Sequence, residues 1–490
     1  MARQVLQIRI DHLGEEGLGY GHGEGFLVGV PGVVVNDIVD VELEHKSPHQ
    51  RRAWGKVVKV IARGGSYTKP VCHHAAPIRG KCGGCPLMHV DLKAQREHKL
   101  RMVESALSGF PGYHASSSLL AVDASGDGLR YRNRANYVVF RRKGGRIYLG
   151  SRAPRSTESA RMDGCLVNQP EVESVAAHLA EILNERDIPV LPARSALRYV
   201  TIRANRRGDV LVDLVVAQRS PGWLNSVIHR LREHPAVRGI SYSVNRSEGN
   251  AIRVNPSHVV WGDASLVEDV GDLKLHLAVD GFFQLNVPVA SAMYRQAAEW
   301  TRDARVLWDL YCGVGGLGLT IARSMPGVSL FGCEYTEAAV RLARVNAREN
   351  GVDGHFDVAD LGKGVPRGWT PPDVIAVNPP RKGLDERVVG LLKKVRPSQI
   401  VYMSCSVESL KRDLEALIPS GYRIAHHAAW DMMPHTEHVE TLVVLDRVGG
   451  TRPSRQELEG NTAPPAKPVA EGERGAQQGN PHARRYARRR

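Results

Sequence analysis

No apolar run in this 490-residue chain is long enough to cross a membrane. The longest, near Phe26 to Val35, is interrupted by Pro31 and falls well short of the roughly 20 residues that a spanning helix needs. The start, MARQVLQIRI, lacks the charged residues, apolar stretch and cleavage site of a secretory signal, so a cytoplasmic location is expected. Aromatic residues are scarce at 6%, and cysteine is rare at seven residues. There is also no bias toward disorder, collagen or coiled coil, since 42% of the residues are hydrophobic and 24% are charged. What is present is length enough for about three domains of roughly 150 residues. The balance of 66 Lys plus Arg against 52 Asp plus Glu gives +14, which suits a polyanionic partner.

Residues 1–62 hold short β-rich runs, Val5 to Ile10, Gly25 to Val30, Asp37 to Glu44 and Trp54 to Ile61, with Gly17 to Gly21 read as a turn. This pattern predicts a small five-stranded β-barrel. Residues 63–275 read as an α+β domain that opens with a cysteine-bearing segment and an amphipathic helix over Asp91 to Gly109, carried by Leu92, Leu100, Val103 and Leu107. From 276 to 450, apolar strands such as Val306 to Leu310, Val328 to Gly332 and Val374 to Val377 alternate with helical patterns, which predicts a doubly wound, mostly parallel α/β sheet. Residues 451–490 carry nine Lys/Arg against four Asp/Glu and almost no large apolar residues, and read as a disordered basic tail.

The run Asp309-Leu-Tyr-Cys-Gly-Val-Gly-Gly-Leu-Gly318 closes a strand and opens a helix, so backbone amides can approach a ligand at the helix's positive end. Glu334 ends the next strand, 25 residues after Asp309, where a carboxylate accepts ribose hydroxyls or, alternatively, caps the helix from Thr336. Asp360 and Asn378 follow at the next two strand ends, the latter within Asn378-Pro-Pro-Arg381. The glycine pattern G-x-G-G-x-G favours S-adenosylmethionine over a nicotinamide. Methyltransferases acting on exocyclic amines carry an aromatic where Arg381 stands, which argues against that chemistry.

Cys405 sits at the carboxyl end of the strand Ile400 to Cys405, beside the N-terminus of a following helix, a position that favours thiolate. The segment Asp431-Met-Met-Pro-His-Thr-Glu-His-Val-Glu440 gathers ionisable groups before the last strand; His438 and Glu440 alternate at strand spacing, and His435 with His438 is a second, metal-binding reading. A thiolate, a carboxylate and a methyl sulfonium suit methylation at carbon 5 of a uracil. Cys405 adds to carbon 6, the activated carbon 5 takes the methyl, and Glu440 removes its proton.

Phe282-Phe-Gln-Leu-Asn286, Asp309 to Gly316, Asn378 to Arg381, Ser404-Cys405 and His438-Val-Glu440 together resemble the RNA uracil-5-methyltransferase family over residues 1 to 450. The resemblance implies a Rossmann-like class I methyltransferase domain preceded by an OB/TRAM-like RNA-binding barrel, acting as a monomer. It also implies Gln284, Tyr311, Glu334, Asp360 and Asn378 as S-adenosylmethionine-site residues.

Cys72, Cys82, Cys85 and Cys165 lie in the first third, and in a reducing compartment they read as a metal site. They resemble the [4Fe-4S] site of the ribosomal-RNA branch, with a longer first spacing; His73 and His74 would serve zinc instead. A 23S ribosomal RNA substrate is therefore expected. The other readings are a transfer-RNA methyltransferase and a non-catalytic iron-sulfur RNA-binding or assembly factor. Arg51-Arg52, Arg130-Tyr-Arg-Asn-Arg-Ala-Asn-Tyr137 and Arg141-Arg-Lys143 interleave basic and aromatic residues as RNA surfaces do.

Overall fold

The computed structural model describes residues 4–75, 82–115, 126–142, 144–154, 156, 158–247 and 251–449. The predicted tail lies outside the described residues. Among the described residues, no helix is long and apolar enough to cross a membrane.

The N-terminal segment forms a six-stranded sheet in the order Val5–Arg9, Ile38–Lys46, Arg52–Ala62, Phe26–Pro31, Leu18–Gly23, His12–Leu13. Its core is built from alternating apolar positions such as Val39 and Val41, with Ile8, Val28 and Val30. The expected Gly17 to Gly21 turn is instead mostly strand. A Cβ at Gly21 would lie 2.0 Å from the Arg9 carbonyl oxygen, so glycine there permits the close backbone approach that curls the sheet.

The central segment carries a seven-stranded sheet in the order His258–Gly262, Val237–Val244, Val210–Val216, Leu197–Ala204, Arg134–Arg141, Ile147–Arg152, Ser159–Arg161. Helices Pro170–Glu185 and Leu224–Leu231 cover it, burying Val175, Leu179, Leu183 and Val227 against Val200, Ile202 and Val212. The helix Leu92–Leu107 forms as predicted, with the Asp91 side chain accepting from the Ala94 amide. Its buried face differs from the expected stripe. Val103 and Leu107 are buried, but so are Gln95, His98 and Lys99.

The C-terminal sheet has seven strands, here β1 (Val306–Leu310), β2 (Ser329–Glu334), β3 (Gly354–Val358), β4 (Val374–Val377), β5 (Gln399–Ser404), β6 (Tyr422–Trp430) and β7 (Glu440–Arg447). Their spatial order is β3-β2-β1-β4-β5-β7-β6. β1 to β5 pair in parallel, and β7 runs antiparallel to both its neighbours. The order reverses between β1 and β4, the topological switch point where open α/β sheets bind ligands beyond their carboxyl ends. β6 escapes the hydrophobic pattern because it is an edge strand of the sequence YRIAHHAAW.

The boundary expected near residue 276 cuts through a packed unit. Val270, Leu273, Leu275 and Leu277 of the hairpin Leu266–Val270/Leu273–Leu277 share a core with Val340, Ala343 and Ala347 of the helix Glu337–Glu349. The helix Leu92–Leu107 likewise places Val103, Ala106 and Leu107 in one core with Leu410, Leu414 and Leu417. Both segments precede the C-terminal domain in sequence yet are packed into it.

Candidate active site

The carboxyl edge of the parallel strands gathers the predicted cofactor residues. Leu310 pairs with Cys333 on one side and Val377 on the other, so Tyr311, Glu334 and Asn378 stand in one row where these strands end. After β1 the chain turns through Tyr311 (φ 63) and Gly315 (φ 91) into the helix Gly316–Arg323. Asp309 stabilises this turn by accepting from the Gly318 amide at 3.0 Å. A Cβ at Gly318 would sit 2.5 Å from the Asp309 Oδ2, so the fourth glycine of the motif is required by that contact. Burial pushes the Asp309 carboxyl up to about 7, opposed by the Gly318 hydrogen bond and reinforced by Glu334.

Glu334 accepts from the Gly313 amide at 3.3 Å and from the Thr336 amide at 3.1 Å. It therefore ties the glycine turn to the start of the next helix. Gln284 is buried just before the helix Val287–Trp300. Asp360 lies beyond the end of β3, accepts from the Gly362 amide at 3.0 Å and faces Lys363 at 3.5 Å.

The two candidate reacting groups, Cys405 and Glu440, approach each other through sheet register. Ser404 pairs with Thr441 across β5 and β7, and one step further along the antiparallel pair places Cys405 opposite Glu440. Glu440 is 4% exposed, and its Oε2 has no hydrogen-bond partner among the described residues. Burial pushes its carboxyl up to about 8, opposed only by Arg381. The expectation that Cys405 favours thiolate is overturned. Burial first, and then the Glu440 carboxylate, push the thiol up to about 11, although Arg381 acts in the opposite direction. The helix start beside Cys405 is too weak to offset this desolvation.

His438 does not share a strand face with Glu440, because β7 begins at Glu440. It accepts from the Arg381 guanidinium at 3.0 Å, and burial holds its imidazole below the usual range, so it is a neutral acceptor. His435 is engaged elsewhere, facing Gln95 Oε1 through its amide at 2.8 Å and the Asp127 carbonyl through Nε2 at 3.1 Å. The two histidines have separate partners and do not form the alternative metal pair.

Residues 431–439, which deliver Glu440, are anchored by groups that pattern reading passed over. Lys99 donates to Asp431 Oδ1 at 2.5 Å and to the Met433 carbonyl at 3.2 Å. Tyr131 donates to the Pro434 carbonyl, and the Leu87 amide to that of His435. The available signal was Gln95 and Lys99, polar residues four apart on the buried face of the helix. Removing one member of a buried ion pair costs about 3–5 kcal/mol. Lys99→Ala should accordingly lower stability by about 3 kcal/mol, since Arg96, 3.6 Å from Asp431, retains part of the compensation. A urea midpoint unchanged from the parent would refute this.

Cys72, Cys82, Cys85 and Cys165 line one cavity together with His74, Met88, Arg132, Met162 and Leu166. Among the described residues, no three His, Cys, Asp or Glu side chains are gathered as a single-ion site. Burial and the other three cysteines push the Cys85 thiol up, and burial pushes Cys165 up to about 11. In this cavity the Cys85 and Cys165 thiols are held protonated by burial and by any thiolate charge on their neighbours.

Two of the proposed RNA-facing aromatics are turned inward. Tyr137 is buried and donates to Glu173 Oε1 at 2.7 Å, and Tyr131 is spent on Pro434.

The strand order and the row of polar strand ends define a class I S-adenosylmethionine-dependent methyltransferase. A family model described as tRNA (Uracil-5-)-methyltransferase matches residues 371–448, and one for a methyltransferase small domain matches residues 282–393. An uncharacterized RNA methyltransferase of Nostoc sp. is 30% identical over 451 residues, covering 90% of this chain and 96% of the relative. One of Halalkalibacterium halodurans is 29% identical over 455 residues, covering 90% and 97%. The crystal structure of the Pyrococcus abyssi tRNA (uracil-54, C5)-methyltransferase with S-adenosyl-L-homocysteine matches with a TM-score of 0.69 and 26% identity, covering 90% of this chain and 99% of that one. The chain belongs to the RNA uracil-5-methyltransferase family, and it is an RNA methyltransferase.

Proposed function

We propose that this protein methylates carbon 5 of a uridine in 23S ribosomal RNA, as a cytoplasmic monomer, through a covalent cysteine adduct. The observation that supports the reading is the register of β5 and β7, whose last pair, Ser404 with Thr441, leaves Cys405 and the buried Glu440 as the next residues on either side, with no partner for the Glu440 Oε2 among the described residues. Cys405 gives up its proton to solvent water as sulfur bonds to carbon 6, and the electron pair of the carbon 5–carbon 6 double bond moves to carbon 5 and the carbonyl oxygen. Arg381, the one neighbouring charge that lowers the thiol's proton affinity, assists this step. Carbon 5 takes the methyl from the sulfonium, leaving neutral S-adenosylhomocysteine. Glu440 then removes the carbon 5 proton, and the returning electron pair expels Cys405 as thiolate. A carboxylate whose proton affinity is raised by burial is well matched to that proton.

Gln284, Tyr311, Glu334, Asn378 and Asp360 are assigned to S-adenosylmethionine, with Asp360 at the periphery. Phe282, 65% exposed beside buried Phe283 and Gln284, is assigned to stack on the uracil; the target carbon is reachable only when the base leaves its helix. Cys72, Cys82, Cys85 and Cys165 would hold a [4Fe-4S] cluster, which would supply a structural cross-link. The chemistry requires no electron. The N-terminal sheet serves as a TRAM-like RNA-binding domain, with its exposed Arg51 and Arg52, and Arg141 and Arg142 at the edge of the central domain, as phosphate contacts.

The four-cysteine cavity favours ribosomal RNA, whereas the solved neighbour acts on transfer RNA. Incubation with methyl-tritiated S-adenosylmethionine and either RNA, followed by nucleoside mass spectrometry, tests both points. The expected product is 5-methyluridine in 23S ribosomal RNA. Label only in transfer RNA would reassign the substrate, label on adenine or cytosine would overturn the chemistry, and RNA binding without label would leave a non-catalytic factor.

A further inference from the structure

The Phe282 loop belongs in sequence to the C-terminal domain but is gripped by the central sheet. Arg203 and Arg134 are cross-strand partners, and both donate to the carbonyl of Gly281, at 2.5 Å and 2.7 Å. Next to them, the Asn133 amide donates to the Leu285 carbonyl at 3.0 Å and its side chain to the Gln284 carbonyl at 3.1 Å. On the far side, Asn286 donates to the Met432 carbonyl at 3.3 Å, joining the loop to the segment that carries Glu440. Three carbonyls around Phe282 are thereby held from one direction, while its ring stays exposed.

This arrangement is expensive as a way of folding a loop. Arg203 is fully buried, and its Nε and one terminal nitrogen have no partner among the described residues. Burial and the adjacent Arg134 push its guanidinium down to about 9, with Asp280 and Glu268 compensating in part. Burying like charges side by side opposes folding, and a neutral donor would satisfy one carbonyl. What two planar guanidinium groups add is a fixed direction for the peptide that carries Phe282.

We propose that Arg134, Arg203 and Asn133 form a clamp that positions Phe282 against the extruded uridine, so that the central domain sets where the base sits relative to Cys405. The clamp rests on the reading of Phe282 as the stacking residue; none of its three members touches the reacting atoms.

Full-length Arg203→Met, Phe282→Ala and the double variant test it, read by single-turnover adduct formation on RNA and by the S-adenosylmethionine dissociation constant. A displacement of about 1 Å can cost roughly 100-fold in rate, so Arg203→Met should slow adduct formation by about 10- to 100-fold and leave cofactor binding within about twofold. The double variant should be no slower than Phe282→Ala alone, because a clamp acting through Phe282 has nothing left to position. Multiplying effects, or an equal loss of cofactor affinity in Arg203→Met, would overturn the clamp. Unchanged adduct formation in Phe282→Ala would refute the stacking assignment, and the clamp with it, while leaving the Cys405 chemistry standing. Should Arg203→Met not fold, Arg203→Lys retains one donor and should show a smaller loss with the same dependence on Phe282.

Discussion

Cys405→Ala should abolish methyl transfer, lowering turnover by at least about 10⁴-fold, the scale seen when a covalent nucleophile is removed. Alanine leaves the backbone, the β5–β7 pairing and the strand-end row intact, so S-adenosylmethionine binding should persist. The effect is large because carbon 5 of uracil becomes nucleophilic only after a group has added at carbon 6, and among the described residues Cys405 is the thiol that lies one step beyond the Ser404–Thr441 pair, within electrostatic reach of the buried Glu440 carboxyl. The assay is tritium transfer to RNA together with denaturing electrophoresis for a protein–RNA band. Retention of full turnover would remove covalent catalysis from this protein.

Glu440→Gln should act at the opposite end of the reaction. Adduct and methyl transfer still form, but the carbon 5 proton stays, so a methylated covalent complex accumulates while turnover falls by about 10²- to 10⁴-fold. No accumulated complex, with turnover near the parent's, would assign the base elsewhere. The same variant carries a stability signature. The carboxyl titrates at about 8 in the fold against its ordinary 4.5 because burial disfavours the charged form. A raised folded-state value means that the stability contributed by the protonated group is complete below 4.5 and is lost as pH rises through 8. Glutamine cannot ionise. Glu440→Gln should therefore melt with the parent near pH 4 and increasingly above it between pH 5 and 8, with the gap constant beyond. A parent more stable than the variant at pH 8.5 would show Glu440 ionised and paired.

How much of this was legible can be judged residue by residue. The strands β1, β2, β4 and β5 stood out because strands buried on both faces are written as near-continuous apolar runs, and the strand-end positions of Glu334, Asn378 and Cys405 follow from the last three. β6 did not stand out, since its paired histidines and small alanines, His426-His427-Ala428-Ala429, lack that signature. The thiolate assignment for Cys405 failed for a related reason. Sequence shows the helix start that would lower the thiol's proton affinity but not the burial and facing carboxylate that raise it. Arg134 and Tyr137 read as an exposed basic and aromatic run, yet the pleat of their strand sends Tyr137 into the core and Arg134 onto the Gly281 carbonyl.

By itself, the sequence determined the α/β class, the glycine turn, Cys405 and Glu440 as candidate nucleophile and base, and the four cysteines as one group. These depend on local periodicity or on chemistry few residues can perform. Tertiary structure alone decided that Cys405 faces Glu440, that Lys99 and Asp431 anchor the segment before it, and that the central sheet grips the Phe282 loop. Each of these joins residues 35 to more than 300 positions apart, and such distant pairings are set by strand register and by the burial of polar groups that must find partners. Neither leaves a periodic trace along the chain.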